Sequence, residues 1–140
     1  MTANQNTIAR QFIESIPHAG ALGLTVTHIG DGTAEIVMPY NPRLIGDPDT
    51  GVIHGGAVSA LMDTCGGAAV ISHPQSPGGT ATIGLRIDYM RAATPGQSIT
   101  ARATCHHITR SVAFVRAIAT DDDTDRPVAT ATGTFTVEEA

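Results

Sequence analysis

The run Gly51-Val52-Ile53-His54-Gly55-Gly56-Ala57 is followed by Leu61-Met62-Asp63 within an otherwise apolar stretch. A His-Gly-Gly triplet that opens a helix puts bare backbone N–H groups at the positive end of the helix dipole, and glycine lets a carbonyl group come close. Such a place can hold an oxyanion. Nine residues after His54, Asp63 is a carboxylate among apolar neighbours, where burial is costly unless the acid is hydrogen-bonded or used in chemistry. On an α-helix nine residues span about 13.5 Å of axis and about 180° of rotation. His54/Gly55 and Asp63 of one chain are therefore expected to point apart. A reaction that uses both needs them from two subunits whose helices lie antiparallel, so the spacing predicts a dimer with two symmetric composite sites. The plainer alternatives are a glycine-rich helix start and a carboxylate satisfied by backbone amides.

These residues need a helix to carry them and a sheet to hold the helix. Residues 54–72 form the one long helical pattern, with Val58, Leu61, Met62 and Cys65 at helical spacing. Gly66-Gly67 inside it costs about 1 kcal/mol per glycine relative to alanine, which close approach of another backbone would explain. Upstream, a short helix over residues 7–16 presents Ile8, Phe12 and Ile13 as one apolar face and is stopped by Pro17. Two β-like runs, 24–29 and 34–38, flank the tight-turn sequence Gly30-Asp31-Gly32. Residues 40–53 read as a loop of a length that is usually functional or disordered. Four further β-like runs follow at 81–90, 98–107, 112–120 and 128–137, with links short enough for hairpins and hence an antiparallel sheet. In the first of them Ile83, Leu85, Ile87 and Tyr89 share one face, expected to wrap the helix, while Thr82, Gly84, Arg86 and Asp88 share the other. The expected architecture is α+β, an antiparallel sheet of five to six strands around one long central helix. Its open edges favour self-association.

Composition narrows the function. A chain of 140 residues and 14.4 kDa reads as one domain over 1–140. Apolar residues make up 41 % and charged residues 15 %, which excludes a disordered chain. The net charge of −5 argues against a nucleic-acid partner. No apolar run approaches the ~18–20 residues of a membrane span, and the start of the chain lacks the apolar core of a signal peptide, so the expected location is cytoplasmic. All eight basic residues are arginines, which excludes a Schiff-base lysine and a lysine-bearing phosphate loop. Only 4 % of residues are aromatic and Gly is abundant at 15, so the core must close by tight approach of small residues. Cys65 and Cys105 make neither a disulfide framework nor a zinc-spaced motif. In Cys105-His106-His107 at most Cys105 and His107 share a strand face, so no metal site is expected. Asp121-Asp122-Asp123 reads as a solvated turn.

On these residues the sequence resembles the hotdog-fold acyl-CoA thioesterases, and among them the PaaI-like group of the phenylacetate pathway. The resemblance runs from about residue 22 to 137. It rests on the motif from Gly51 to Ala57, on Leu61-Met62-Asp63, on Leu85-Arg86-Ile87-Asp88-Tyr89-Met90 and on Pro95-Gly96. It implies hydrolysis of an acyl-CoA or aryl-CoA thioester to the free acid and coenzyme A, with coenzyme A as part of the substrate and no further cofactor. By this resemblance the Gly55 N–H polarises the thioester carbonyl and His54 orients the loop or bonds near the thioester. Asp63 of the neighbouring subunit acts as nucleophile or general base, and the Thr82 hydroxyl positions water or the carboxylate. Gly56 belongs to the substrate-binding group, and Arg91 and Arg110 are candidates for the coenzyme A phosphates. The implied assembly is a homodimer or a dimer of dimers. Many relatives carry a polar side chain about six residues before the histidine, where this chain has Pro48; Asp47 and Asp49 are the nearest substitutes. That departure motivates an alternative, a non-catalytic hotdog module that binds an acyl or CoA-like ligand. The motifs of hotdog dehydratases and hydratases are absent from the sequence.

Overall fold

A computed structural model describes residues 3–140, with side chains from residue 6 onward. Helix α1 (Ala3–Glu14) and a one-and-a-half-turn helix α2 (Pro17–Leu22) lead into the hairpin of β1 (Thr25–Gly30) and β2 (Thr33–Met38). Asp31 and Gly32 both take positive φ, 53° and 82°, as a two-residue turn matched to strand twist requires. A short 3-10 turn (Pro42–Leu44) precedes β3 (Ile45–Asp47) and β4 (Val52–Ile53), and then comes the long helix α3 (Gly55–Ile71). The chain finishes with β5 (Thr82–Tyr89), β6 (Ile99–Ile108), β7 (Val112–Thr120) and β8 (Ala129–Thr136). The six-stranded sheet has the order β1-β2-β6-β7-β8-β5 and is antiparallel throughout, while β3 and β4 pair separately.

The α+β expectation, one long helix on an antiparallel sheet, matches this architecture. Leu61, Met62, Cys65, Ala68 and Ala69 of α3 are fully buried. They lie on a sheet face rich in alanine, with Ala101, Ala103, Ala113, Ala117, Ala119, Ala129 and Ala131 all buried. Small residues let the helix sit close to the sheet and keep interior density high. Gly66 serves the same packing in a way the sequence did not suggest. A Cβ there would fall 2.8 Å from the Phe135 ring, so the close neighbour is a side chain rather than a backbone.

Four local expectations are corrected. The apolar residues of α1 divide between two faces: Ala9 and Ile13 are buried, while Ile8 and Phe12 are each 57 % exposed. Pro17 ends α1 but also occupies the first turn of α2, a position where its missing N–H costs nothing. Residues 40–53 are not an irregular loop, since they fold into the β3–β4 hairpin with Tyr40 donating its hydroxyl to the Gly51 carbonyl at 2.7 Å. The link from β5 to β6 is no hairpin either. It carries the chain from the sheet edge past β8 and β7, because β8 returns to pair with β5.

Strand β5 is an edge strand. Its Leu85 and Ile87 pack on the core, but Ile83 and Tyr89 are 59 % and 51 % exposed, so the apolar face wraps the helix only in part. The pairing with β8 steps from Thr82–Phe135 to Gly84–Thr134, which leaves Ile83 as a bulge. The extra residue breaks the two-residue alternation. Thr82 therefore shares the helix-facing side with Leu85, Ile87 and Tyr89, not the outer side that strict alternation assigns to it.

Candidate active site

The start of α3 is built around His54. Its N–H donates to the Leu44 carbonyl at 2.8 Å, and Gly46 of β3 lies against its Cα so tightly that a Cβ would come within 2.8 Å. The β3–β4 hairpin thereby fixes where the helix begins. His54 is the N-cap, and its Nδ1 accepts from the Gly56 N–H at 2.8 Å. This leaves the ring proton on Nε2. A Cβ on Gly56 would fall 2.9 Å from that Nδ1. Gly56 is thus needed for the cap, with its amide engaged there, and it also lines the cleft at the start of α3.

The N–H of Gly55 is the first amide of the helix and has no acceptor among the described residues. Its carbonyl is held by two hydroxyls, Tyr89 at 2.8 Å and Ser59 at 3.1 Å, which also bond each other. The sequence reading missed this hydroxyl pair. Its signal is the spacing: Ser59 stands one turn after Gly55 and one turn before Asp63, and Tyr89 closes the strand motif.

Asp63 is half-buried on the same helix, and its Oδ1 accepts from the Thr82 hydroxyl at 2.6 Å. Thr82 reaches it because of the bulge at Ile83. Gly55 and Asp63 both adjoin β5, one at each end. The angular part of the sequence argument applies to His54, but Gly55 is eight residues from Asp63 and only about 80° away around the helix, with about 12 Å of axis between them. Axial distance, rather than opposite facing, separates the amide from the carboxylate within one chain.

Three cavities surround these groups. One of about 350 Å³ opens at Asp63, Thr64 and Thr82, with Phe12, Ile13, Ile16 and Ile71 among its walls. A second, about 400 Å³, is lined by His18, Arg43, His54, Gly56 and Ala60 at the start of α3. A third, about 300 Å³, lies beside Gly55, Tyr89 and Met90. His18 and Arg43 were not singled out in the sequence, since neither belongs to a motif.

The other expected site residues make structural contacts or stand apart from these groups. Arg91 makes two 2.7 Å bonds to the carboxylate of Asp121 and also donates to the Arg126 carbonyl at 2.7 Å. Arg91 lines the third cavity, with its guanidinium engaged in these bonds. Asp121, read as a solvated turn residue, is buried, and the Arg91 guanidinium holds its carboxyl well below the usual carboxylate range. The two oxygens of Asp47 accept from the Asp49 N–H at 3.0 Å and the Thr50 hydroxyl at 2.9 Å, so its carboxylate closes the β3–β4 turn. Neither Asp47 nor Asp49 lines the three cavities. Arg110 is exposed in the β6–β7 turn with no partner among the described residues. Cys65 is buried and its thiol is pushed up to about 12 by burial, which suits an inert core residue. Cys105 and His107 do not share a face, because a bulge between them turns His107 towards Phe114 on the opposite side. Among the described residues no helix is long and apolar enough to cross a membrane.

Residues 50–128 match the family model described as the thioesterase superfamily. A crystal structure of a Pseudomonas aeruginosa protein superposes with a TM-score of 0.83 at 36 % identity, covering 94 % of this chain and 98 % of that one. A mutant of the phenylacetic acid degradation protein PaaI from Thermus thermophilus gives a TM-score of 0.77 at 29 % identity, over 87 % of this chain and 99 % of that one. The medium/long-chain acyl-CoA thioesterase YigI of Salmonella typhimurium is 26 % identical over 98 % of this chain and 97 % of its own. An esterase homologue from Halobacterium salinarum is 39 % identical over 75 residues, and this match spans about half the length of that protein.

Proposed function

Because the chain belongs to the thioesterase superfamily, we propose that it hydrolyses acyl-CoA or aryl-CoA thioesters to the free acid and coenzyme A, as a cytoplasmic homodimer with shared sites. The observation that carries this reading is the pairing of a free helix-start amide, Gly55, with a hydroxyl-bonded carboxylate, Asp63, at the two ends of one uncovered edge strand. In the reaction the Gly55 N–H of one subunit donates to the thioester carbonyl oxygen. Asp63 of the other subunit takes a proton from water as water adds to the carbon, or adds to the carbon itself. The C–S bond then breaks and the sulfur leaves as thiolate to be protonated. In the direct-attack route water later cleaves the acyl-aspartate anhydride. A thioester carbonyl is weakly resonance-stabilised, so an oxyanion donor and a positioned carboxylate suffice, and the reading calls for no cofactor.

Self-association is supported by the edge. Ile83, Tyr89 and Met90 expose 59, 51 and 60 % of their surfaces on and just after β5, whose outer edge is unpaired, a surface that a second copy can cover by continuing the sheet. Arg43 is the cation at the helix-start cleft, the side on which the coenzyme A phosphates are then placed, and Arg110 remains available as a second.

The experiment is thiol release from a panel of aromatic, short and long acyl-CoAs, followed by mixing of two disabled subunits. Gly55→Pro removes the amide hydrogen at a position proline suits, since His54, at φ −59° and ψ 136°, already has the backbone that precedes proline and the added Cβ would meet the Tyr89 ring at 3.4 Å, an ordinary contact. Mixed with Asp63→Ala subunits, it should recover about a quarter of wild-type activity, since half of randomly assorted dimers hold one intact site. No recovery after confirmed subunit exchange would rule out sharing. A folded wild type that cleaves nothing in the panel favours the ligand-binding alternative, for which the turn at Pro48 is the motivating feature.

A further inference from the structure

Helix α1 has a second apolar face that the fold does not use. Ala9 and Ile13 point into the core, whereas Ile8 and Phe12, one turn apart, remain 57 % exposed. Both line cavities. Phe12 and Ile71 are walls of the cavity that opens at Asp63, and the same two residues are walls of an apolar space of about 420 Å³ lined further by Ile8, Ala9, Gly78 and Gly79. Both volumes fall in the range of small-molecule sites. Their charge is one-sided. Asp63 and His18 are the ionisable residues of the first space, and the second has none. The cleft at the start of α3 instead carries Arg43 beside the positive end of the helix. A phosphate-bearing moiety fits the latter, and an uncharged apolar group fits the former.

We propose that the acyl group of the substrate enters the cavity at Asp63, that it is uncharged and apolar, and that Phe12 sets its length limit by dividing this cavity from the one lined by Ile8. The inference rests on the thioesterase reading. A ring or short chain fills the first space; a longer chain must displace Phe12 to reach the second. A dicarboxylic acyl group is disfavoured by the Asp63 carboxylate, and no arginine lines either space.

The test is the ratio of kcat/KM for myristoyl-CoA to that for butyryl-CoA in the wild type and in Phe12→Ala, Phe12→Trp and Ile8→Glu. Opening the divider should raise the ratio about tenfold and Phe12→Trp should lower it, the scale on which pocket contacts discriminate between chains. Ile8→Glu puts a charge in the second space and should lower the ratio through KM for the long chain. Because Ile8 and Phe12 are exposed, these variants keep the core intact. If the wild type hydrolyses thioesters but all three ratios stay at its value, the acyl placement is wrong and hydrolysis stands. If the wild type hydrolyses no thioester, the reading beneath it fails and the placement falls with it.

Discussion

Asp63 and Asp121 are two partly or wholly buried aspartates in opposite situations. Asp121 has no exposed side-chain surface and four donors: both terminal nitrogens of Arg91 at 2.7 Å, the Thr94 N–H at 2.9 Å and the Asp123 N–H at 3.0 Å. Asp63 has one donor among the described residues, the Thr82 hydroxyl, and it faces a cavity. A carboxylate with its lone pairs filled is a strut, here tying the segment just after β5 to the β7–β8 connection. A carboxylate with a single neutral donor is oriented without being neutralised, and a water molecule or a carbonyl carbon can still reach it. Local sequence does not separate the two; the number and kind of their partners does.

The largest expected effect separates them by activity. Asp63→Ala should lower kcat at least a hundredfold, in the range general-base and nucleophile losses produce, with a melting temperature close to the wild type. Unchanged turnover in the folded variant would remove Asp63 from the reaction. Asp121→Asn should do the reverse. Breaking a buried ion pair leaves Arg91 uncompensated, so the melting temperature should fall by on the order of 10 °C with a much smaller change in kcat. This difference also depends on pH. The Asp121 carboxyl is held below its unfolded value of about 3.9, so its stabilisation is present above about pH 4 and is lost as the pH falls below it. Melting curves taken through the acid range should be flatter for Asp121→Asn than for the wild type, and parallel curves would count against the ion pair as the cause. The smallest effect belongs to Thr82. Thr82→Ala removes one hydrogen bond to a charged group and should cost about tenfold in kcat, with Thr82→Ser restoring most of it. A full loss in Thr82→Ser would mean that the methyl group, not the hydroxyl, matters.

Periodicity made the framework legible. The helix at 54–72 and six strands follow from apolar spacing, and the small-residue core follows from the scarcity of aromatics. The elements that escaped are those whose local signal is ambiguous or whose stability is non-local. Pro17 stops one helix and starts another, and β3 and β4 are too short for any alternation to show, existing because Ile45 pairs with Ile53 and the Asp47 carboxylate closes the turn. At the site, the helix start at His54-Gly55-Gly56 was readable because it is a local feature, but the His54 cap was not anticipated, since the Nδ1 bond to Gly56 depends on a rotamer. Arg91 and Asp121 lie 30 residues apart and meet only through the topology that brings the ends of β5 and β7 together. The misplaced face of Thr82 has a single cause, one uncounted residue at Ile83.

That residue has a mechanical consequence. Without it, the two ends of β5 would turn opposite sides to the helix. With it, Tyr89 rests on Gly55 and Thr82 on Asp63, and the strand becomes a ruler whose two marks are the amide and the carboxylate. Sliding β5 along β8 by one position would lift both marks off the helix at once, so neither can drift alone. In the proposed dimer two such rulers lie edge to edge. The gap between the amide of one copy and the carboxylate of the other is then graduated in strand steps of about 3.3 Å, a scale set by backbone rather than by side chains.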